Sequence, residues 1–534
     1  MALSIPGLLR ERVARTPDAE AMRYRDGDGW ASLTWSGLQR RVAEQAFGLR
    51  ELGLRKGDRV ALMGRTSIDW IITDLAVLAA GGATTTIYPN STESEVAHII
   101  GDSGSRVVVV ETDEHAGLVP DGVEVLRFGR VPGGEGDYDA LVDDLRLGDL
   151  ATLIYTSGTT GTPKGVELTH ENWLTTAEAI ASLGILEETD LHFLWLPLSH
   201  AFGKVLTMAM IAAGVPTAVD GSVERIVDNL GELRPTIVAA APRIFEKIHG
   251  RIVAGAREKG GLTEKVFRWA DREHGPATAW LADRLMYRKL RDRVGGRIRY
   301  FVSGSAPLAP EIAEFFTRAG ITILEGYGLT ESSAATFFNR PGMIRAGTVG
   351  PPIPGMEVKI AEDGEVLLKG PGVMRGYHNR PDATAETLVD GWLHTGDIGE
   401  LDDAGRLRIT DRKKELIKTS GGKYVAPARI ESMINAASPY ISNVIVHGDR
   451  RKYCVALVTL DEDTAGGLSG KDAEAEVGRA VEAVNAQLAR HETIKRFAVL
   501  EKDFSVEDGL LTASLKPRRR EIEKRFKDTL DSLY

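Results

Sequence analysis

The chain has 534 residues, more than one compact core accommodates, so two or more domains are expected. Hydrophobic residues make up 43% and charged residues 27%, which excludes a disordered or fibrous protein, and a net charge of −10 argues against nucleic acid as a partner. Cys454 is the single cysteine, so an internal disulfide and a cysteine-built metal centre are excluded, and a reducing compartment suits the chain.

The opening MALSIPGLLRERVARTPDAE carries an apolar run too short for a secretory signal and reads as an amphipathic first helix. The most apolar later stretch, WIITDLAVLAAGGATTTIY, is broken by Asp74 and two glycines, short of the ~20 apolar residues of a membrane span. A cytoplasmic protein is therefore expected, with room left for peripheral contact with a membrane surface. WSGLQRRVAEQAFGLRELG and ENWLTTAEAIASLG have helical patterns, each closed by glycine. RVVVVE, TLIYT and TIVAAAP are the nearly continuous apolar runs of strands buried on both faces. This alternation predicts an α/β fold, a large N-terminal domain of parallel and mixed sheets flanked by helices.

Between Tyr155 and Gly165 the chain reads YTSGTTGTPKG. It does not fit G-x-x-x-x-G-K-[ST], because Pro163 stands where that pattern needs glycine. Thr156, Ser157, Thr159 and Thr160 offer hydroxyls, Gly158 allows close backbone approach, and Lys164 adds a charge. Such a loop can wrap a triphosphate; taken alone, a solvated surface turn fits it too. Farther on, RIRYFVSG ends a strand, PEIAEFFTRAG forms a helix and ITILEGYG is the next strand. The loops holding Ser305 and Ala306, and Glu325, Gly326, Tyr327 and Gly328, then lie at carboxyl ends of neighbouring strands, where open α/β sheets bind ligands.

After Gly350 the pattern changes. EVKIAEDGEVLLKG predicts a hairpin about Asp363-Gly364, and DDAGRLRIT repeats it with a longer turn. The expected organisation is an N-terminal domain over 1–410 with a β-rich subdomain at about 350–410, a hinge at 411–414 and a mobile α+β domain over 415–534. Lys516 is expected immediately before a last helix begun by Pro517.

Seven stretches in order carry a resemblance: YTSGTTGTPKG, LPLSHAFGK, SGSAPL, EGYGLTE, GWLHTGDIG, DRKKELIK and LLTASLKPRR. The chain resembles the adenylate-forming (AMP-binding) superfamily over nearly its whole length. Within it, APRIFEKI, KLRDRVGGRIRYFVSGSAPL and KTSGGKYVAPARIE look most like long-chain fatty acid–CoA ligases.

The resemblance implies ATP, Mg²⁺ and coenzyme A as the small molecules used, with a fatty acid as the acid activated. It implies phosphate contacts from the Thr156–Lys164 loop, Mg²⁺ ligation by Glu331 with Thr160, and a catalytic part for Thr330 beside Glu331. Tyr327 would stack on adenine, Asp397 and Arg412 would meet the ribose, and His200 would stand near the carboxylate. Lys516 would bridge carboxylate and α-phosphate. Lys414 would be the hinge, and Gly421, Gly422 and Lys423 would pass the thiol arm. Helix-like KVLTMAMIAAG after His200 reads as a tunnel wall or as ordinary core, and Lys204 stands where many relatives carry Arg or a gating Trp. An acyl- or aryl-AMP ligase serving a carrier protein, or a non-catalytic adenylate sensor, stays open as an alternative.

Overall fold

The computed structural model describes residues 2–534 apart from 157–161, 273–275, 466–467, 469 and 513. Two large sheets organise the first 340 residues. In one, the strands Glu20–Asp26, His192–Leu194, Thr217–Val219, Ile237–Ala240, Tyr300–Ser303 and Thr322–Tyr327 run parallel, with an antiparallel strand at each edge. In the other, Arg59–Met63, Ala83–Ile87, Val107–Val110, Glu124–Arg127 and Leu150–Thr156 are parallel, and Lys164–Thr169 turns back antiparallel.

Side-chain alternation sorts the second sheet into two faces. Val60, Leu62, Val109 and Ile154 enter the main core, whereas Ala61, Met63, Val108, Val110 and Leu153 pack under the helix Glu93–Ser103. The main core also takes residues of the first sheet and of the helices Ile68–Ala79 and Ala201–Ala213. Both helices are buried almost all round, which their unbroken apolar sequences require of a middle layer between two sheets. KVLTMAMIAAG is thus core packing. Lys204 within it is no surface gate: it is wholly buried, and its Nζ lies 2.6 Å from Asp74 Oδ1. The pairing stands in for lost hydration, which is what a buried ammonium requires.

The strands Glu357–Ile360, Glu365–Lys369, Leu388–Val389, Trp392–Leu401 and Leu407–Arg412 form a smaller antiparallel sheet. From Ile417 onward the apolar residues join separate clusters. A three-stranded sheet, Ile441–His447, Cys454–Leu460 and Ile494–Val499, carries the helices Pro427–Ala437 and Lys471–Asn485 on one face and Arg519–Arg525 on the other. Cys454 is fully buried there, and burial pushes its thiol up to about 11, so it is packed rather than reactive.

The last helix differs from expectation. It starts at Arg519, not Pro517, and breaks at Phe526. Pro517 pairs instead with Leu511 in an isolated bridge. A proline tolerates that place because the bonds flanking the bridge run from the Thr512 N–H to the Lys516 carbonyl and from the Arg518 N–H to the Leu510 carbonyl, so no donor is asked of Pro517.

Candidate functional site

The site lies where the carboxyl ends of both large sheets meet the small antiparallel sheet. Thr156 ends its strand opposite Lys164, which begins the antiparallel return strand. Ser157, Gly158, Thr159 and Thr160 lie outside the described residues. Lys164 Nζ stands 5.0 Å from the centre of the Tyr377 ring. The Tyr377 hydroxyl donates to Glu331 Oε1 at 2.8 Å.

Glu331 sits in the short 3₁₀ turn Thr330–Ser332. That turn is pinned by the Leu329 N–H donating to Ser332 Oγ and by Met374 N–H donating to the Glu331 carbonyl, 3.0 and 2.8 Å. Gly328 before it permits a close crossing: a Cβ there would fall 2.3 Å from the Ala334 carbonyl oxygen. Glu331 is a lone carboxylate, and among the described residues no three His, Cys, Asp or Glu form a metal cage. One carboxylate beside a nucleotide's phosphates is a donor set that Mg²⁺ accepts, so these residues fit that ion.

The next strand end supplies a second arrangement. The Tyr327 hydroxyl donates to Asp397 Oδ2 at 2.6 Å, and Arg412 Nε lies 3.1 Å from Asp397 Oδ1. Asp397 and Arg412 face each other across paired strands, so backbone register fixes the pair. Burial raises the Asp397 pKa, while Arg412 and the Tyr327 hydroxyl oppose that rise. Glu325, on the same strand as Tyr327, is buried, and desolvation pushes its carboxyl up to about 8. Gly326 precedes Tyr327, and Phe338 packs against it. Ser305 and Ala306 are exposed at the neighbouring strand end, Ser305 with a left-handed φ of 72°.

His200 caps the helix Ala201–Ala213, its Nδ1 accepting the Phe202 N–H at 3.1 Å. That bond leaves the proton on Nε2, which points a neutral donor away from the helix. Burial, reinforced by nearby Lys516, holds the ring pKa down to about 3.

Lys516 rides on a tight turn between Leu511 and Pro517. The Thr512 N–H donates to the Lys516 carbonyl, the Lys516 N–H to Thr512 Oγ1, and the Arg518 N–H to the Leu510 carbonyl. Leu515 takes a left-handed φ of 62° to close it. The Lys516 side chain is walled by protein yet open to water. Loss of bulk solvent, then the Arg412 charge, lower its pKa to about 8, against the pull of Asp397, Glu331 and Glu415. A lysine more than a hundred residues downstream therefore shares one electrostatic field with His200, Glu331, Asp397 and Arg412.

Three contacts hold that turn and its domain in place. Arg518 donates to Glu95 Oε1 at 2.7 Å, and Glu95 Oε2 accepts the Thr92 N–H in a capping box. On the helix Pro242–Lys259, Arg243 donates to Ser442 Oγ at 2.6 Å and Lys247 lies 3.0 Å from Asp461. Gly421, Gly422 and Lys423 are not brought to the cleft. They are exposed between the short strands Ile417–Lys418 and Tyr424–Val425, and the neighbouring Ser420 N–H donates to the Arg451 carbonyl. Lys414 is exposed beside Lys413, whose ammonium bonds Asp363 and Glu365. Tyr377, Glu95 and Arg518 were not expected from sequence. Tyr377 follows no motif, and Glu95 carried only a capping signature.

The AMP-binding enzyme family matches residues 9–378, and the AMP-binding enzyme C-terminal domain matches residues 414–534. The chain belongs to the AMP-binding enzymes. Among members of this family, it is 35% identical to the long-chain-fatty-acid–CoA ligase FadD15 of Mycobacterium bovis, over 95% of this chain and 92% of that one. Its fold is that of the A domain of carboxylic acid reductase from Segniliparus rugosus, solved with AMP and a co-purified carboxylic acid. The TM-score is 0.81 at 20% identity, covering 100% of this chain and 94% of that one. The o-succinylbenzoate coenzyme A synthetase of Bacillus subtilis, solved with ATP and magnesium ion, aligns at TM-score 0.71 and 24% identity, over 97% and 99% of the two chains.

Proposed function

We propose that this AMP-binding enzyme is an AMP-forming fatty acid–CoA ligase. It joins a medium- to long-chain fatty acid to ATP, releasing pyrophosphate, and then passes the acyl group to coenzyme A, releasing AMP. The observation that carries the reading is the meeting of Lys516 with His200, Glu331, Asp397 and Arg412 in one cleft. Such a set serves a reaction in which two anions, a carboxylate and a triphosphate, must approach each other.

Asp397, oriented by Tyr327 and Arg412, accepts from the ribose hydroxyls. The Tyr327 ring and the Glu325–Gly328 and Ser305–Ala306 loops border the base. Thr156, the loop of residues 157–160 and Lys164 hold the outer phosphates, Lys164 being steered by the Tyr377 ring. Glu331, with Thr160, holds Mg²⁺, and Thr330 begins the turn that aims it. Mg²⁺ held there would supply positive charge to the phosphate oxygens as pyrophosphate leaves. The His200 Nε2–H steers the fatty carboxylate, and Lys516 binds both the carboxylate and the α-phosphate. Its charge offsets what gathers on the phosphorus oxygens as the carboxylate attacks.

The second step uses another pose. Rotation at Lys414, next to the anchored Lys413, withdraws Lys516 and brings Gly421, Gly422 and Lys423 to the cleft, where the two glycines leave room for the thiol arm. On this reading the domains meet at 411–414. The partners are then small molecules rather than nucleic acid. Among the described residues no helix is long and apolar enough to cross a membrane. A cytoplasmic setting suits the single, buried thiol.

The test is product analysis with a panel of carboxylic acids, with and without coenzyme A. A C8 to C18 acid (roughly the family's range) should release pyrophosphate in a Mg²⁺-dependent reaction, and AMP together with acyl-CoA only when coenzyme A is present. Release of ADP and phosphate, or activity on aryl acids alone, overturns the assignment.

A further inference from the structure

The helix Glu93–Ser103 buries Val96, Ile99, Ile100 and Ser103 against the second large sheet. Glu95, His98 and Asp102 fall at i, i+3 and i+7, so they share one stripe beside that buried side. All three are half-buried, and each bonds a different distant segment. Asp102 Oδ2 accepts the Tyr155 hydroxyl at 2.8 Å, where the chain enters the phosphate loop, and Arg380 lies 3.4 Å from Oδ1. His98 Nε2 stands 3.0 Å from the Pro163 carbonyl oxygen, where the chain leaves the loop. Glu95 holds Arg518, two residues beyond Lys516.

The His98 contact has a defined sense. A carbonyl can only accept, so Nε2 carries the proton and donates. The ring is held for this by meeting the Tyr155 ring edge-on, with centres 6.0 Å apart. Pro163 stands one residue outside the ladder whose last rung pairs Thr156 with Lys164. Its ring fixes φ, which leaves rotation about ψ as the remaining freedom. A bond to its carbonyl removes that freedom and sets the planar peptide leading into Lys164.

We propose that His98 is a positioning residue of the phosphate loop. By fixing the Pro163 carbonyl it sets the direction in which Lys164 leaves the loop, while the Tyr377 ring steers the ammonium at the far end of that side chain. The same helix holds the Lys516 turn through Glu95, so one rigid element spaces the two lysines that meet opposite ends of the triphosphate. A helix packed on a sheet keeps that spacing before ATP arrives, and little ordering remains to be done on binding. This role rests on the reading that the Thr156–Lys164 segment holds the outer phosphates of ATP.

The test is calorimetric titration of the full chain with ATP and Mg²⁺, without acid, beside titration with AMP. His98→Ala removes the donor and should weaken ATP binding about three- to tenfold, while AMP, which lacks the outer phosphates, should bind within about twofold of the wild type. His98→Gln returns an amide N–H donor and should recover most of the ATP affinity. His98→Phe keeps a ring beside Tyr155 without the donor and should behave as His98→Ala does. In adenylation assays the loss should appear as a higher KM for ATP more than as a lower kcat. Thermal melting reports folding; if His98→Ala melts early, the comparison of His98→Phe with His98→Gln decides. Equal weakening of ATP and AMP, or wild-type ATP affinity in both donor-less variants, overturns the role. Lys164→Ala separates the two levels: if it weakens ATP binding and His98→Ala does not, the positioning role alone fails. If neither weakens it, the reading of the loop fails as well.

Discussion

Glu331 and Tyr377 show how one residue's role depends on another's hydroxyl. Glu331→Gln keeps the shape but makes a poor Mg²⁺ ligand, so adenylation should lose about 2–4 kcal/mol of transition-state stabilisation. Tyr377→Phe removes the 2.8 Å bond that aims the carboxylate and should cost about 1–2 kcal/mol, seen first as a higher Mg²⁺ requirement. Initial rates over a Mg²⁺ titration check both; a loss under threefold for Glu331→Gln at saturating Mg²⁺ removes the ligand role. Lys516→Ala should slow adenylation ~10²–10³-fold yet leave acyl-adenylate plus coenzyme A reacting at close to the wild-type rate. The lysine is charged below its pKa of about 8 and neutral above it, so adenylation should fall as pH rises through that value. Single-turnover kinetics of each half, across pH, decide. Equal slowing of both halves would make the lysine structural.

At the scale of elements, the turn that carries Lys516 is held from the other domain by Arg518 and Glu95. Glu95→Gln keeps the cap to Thr92 while weakening the ion pair. Misplacing the lysine should slow adenylation about 3- to 10-fold without touching thioester formation, and Arg518→Lys, which keeps the charge against Glu95, should lose less than Arg518→Ala. A uniform loss of stability with both half-reactions affected would contradict this. The same scale shows what sequence periodicity could supply. The strands Tyr300–Ser303 and Thr322–Tyr327 and the hairpin at Asp363-Gly364 were legible because each segment's burial follows from its own apolar pattern. The start of the last helix was not. Pro517 suits a first helical turn, but the tight turn that carries Lys516 pairs it with Leu511, six residues back, and that bridge outranks the helical preference.

For the whole molecule, the contacts of Arg243 and Lys247 belong to the pose in which Lys516 faces the cleft. Lys247→Glu places like charges against Asp461 and should disfavour that pose by about 0.5–1 kcal/mol. Adenylation should slow two- to fivefold while the thioester step holds or quickens; unchanged adenylation would mean that this ion pair does not govern the pose. Acid should also loosen the fold. His170 and His192 are buried neutral, with burial holding both near 3, against 6.5 for a free ring. Below pH 6.5 the unfolded chain takes up protons that the folded chain refuses, so stability falls with pH down to about 3. At pH 5 the loss is about 2 kcal/mol per ring. Thermal midpoints at pH 7 and 5 should separate, and less so for His192→Gln; a flat profile would refute it.

By itself the sequence determined the family, the α/β class and most members of the cleft. The glycine- and hydroxyl-rich loop at Tyr155–Gly165, the strand-end glycines and the EGYGLTE carboxylate are local patterns, each written within about ten residues. Tertiary structure alone decided that Lys204 pairs with Asp74 in the core, that Tyr377 and Glu95 serve the site, and that Lys516, not the loop at Gly421–Lys423, faces the cleft. It also decided that His98 meets the Pro163 carbonyl. These are pairings between residues tens to hundreds of positions apart. They follow from how layers pack and domains dock, and a chain's local propensities do not encode which distant side chain will supply the opposite charge.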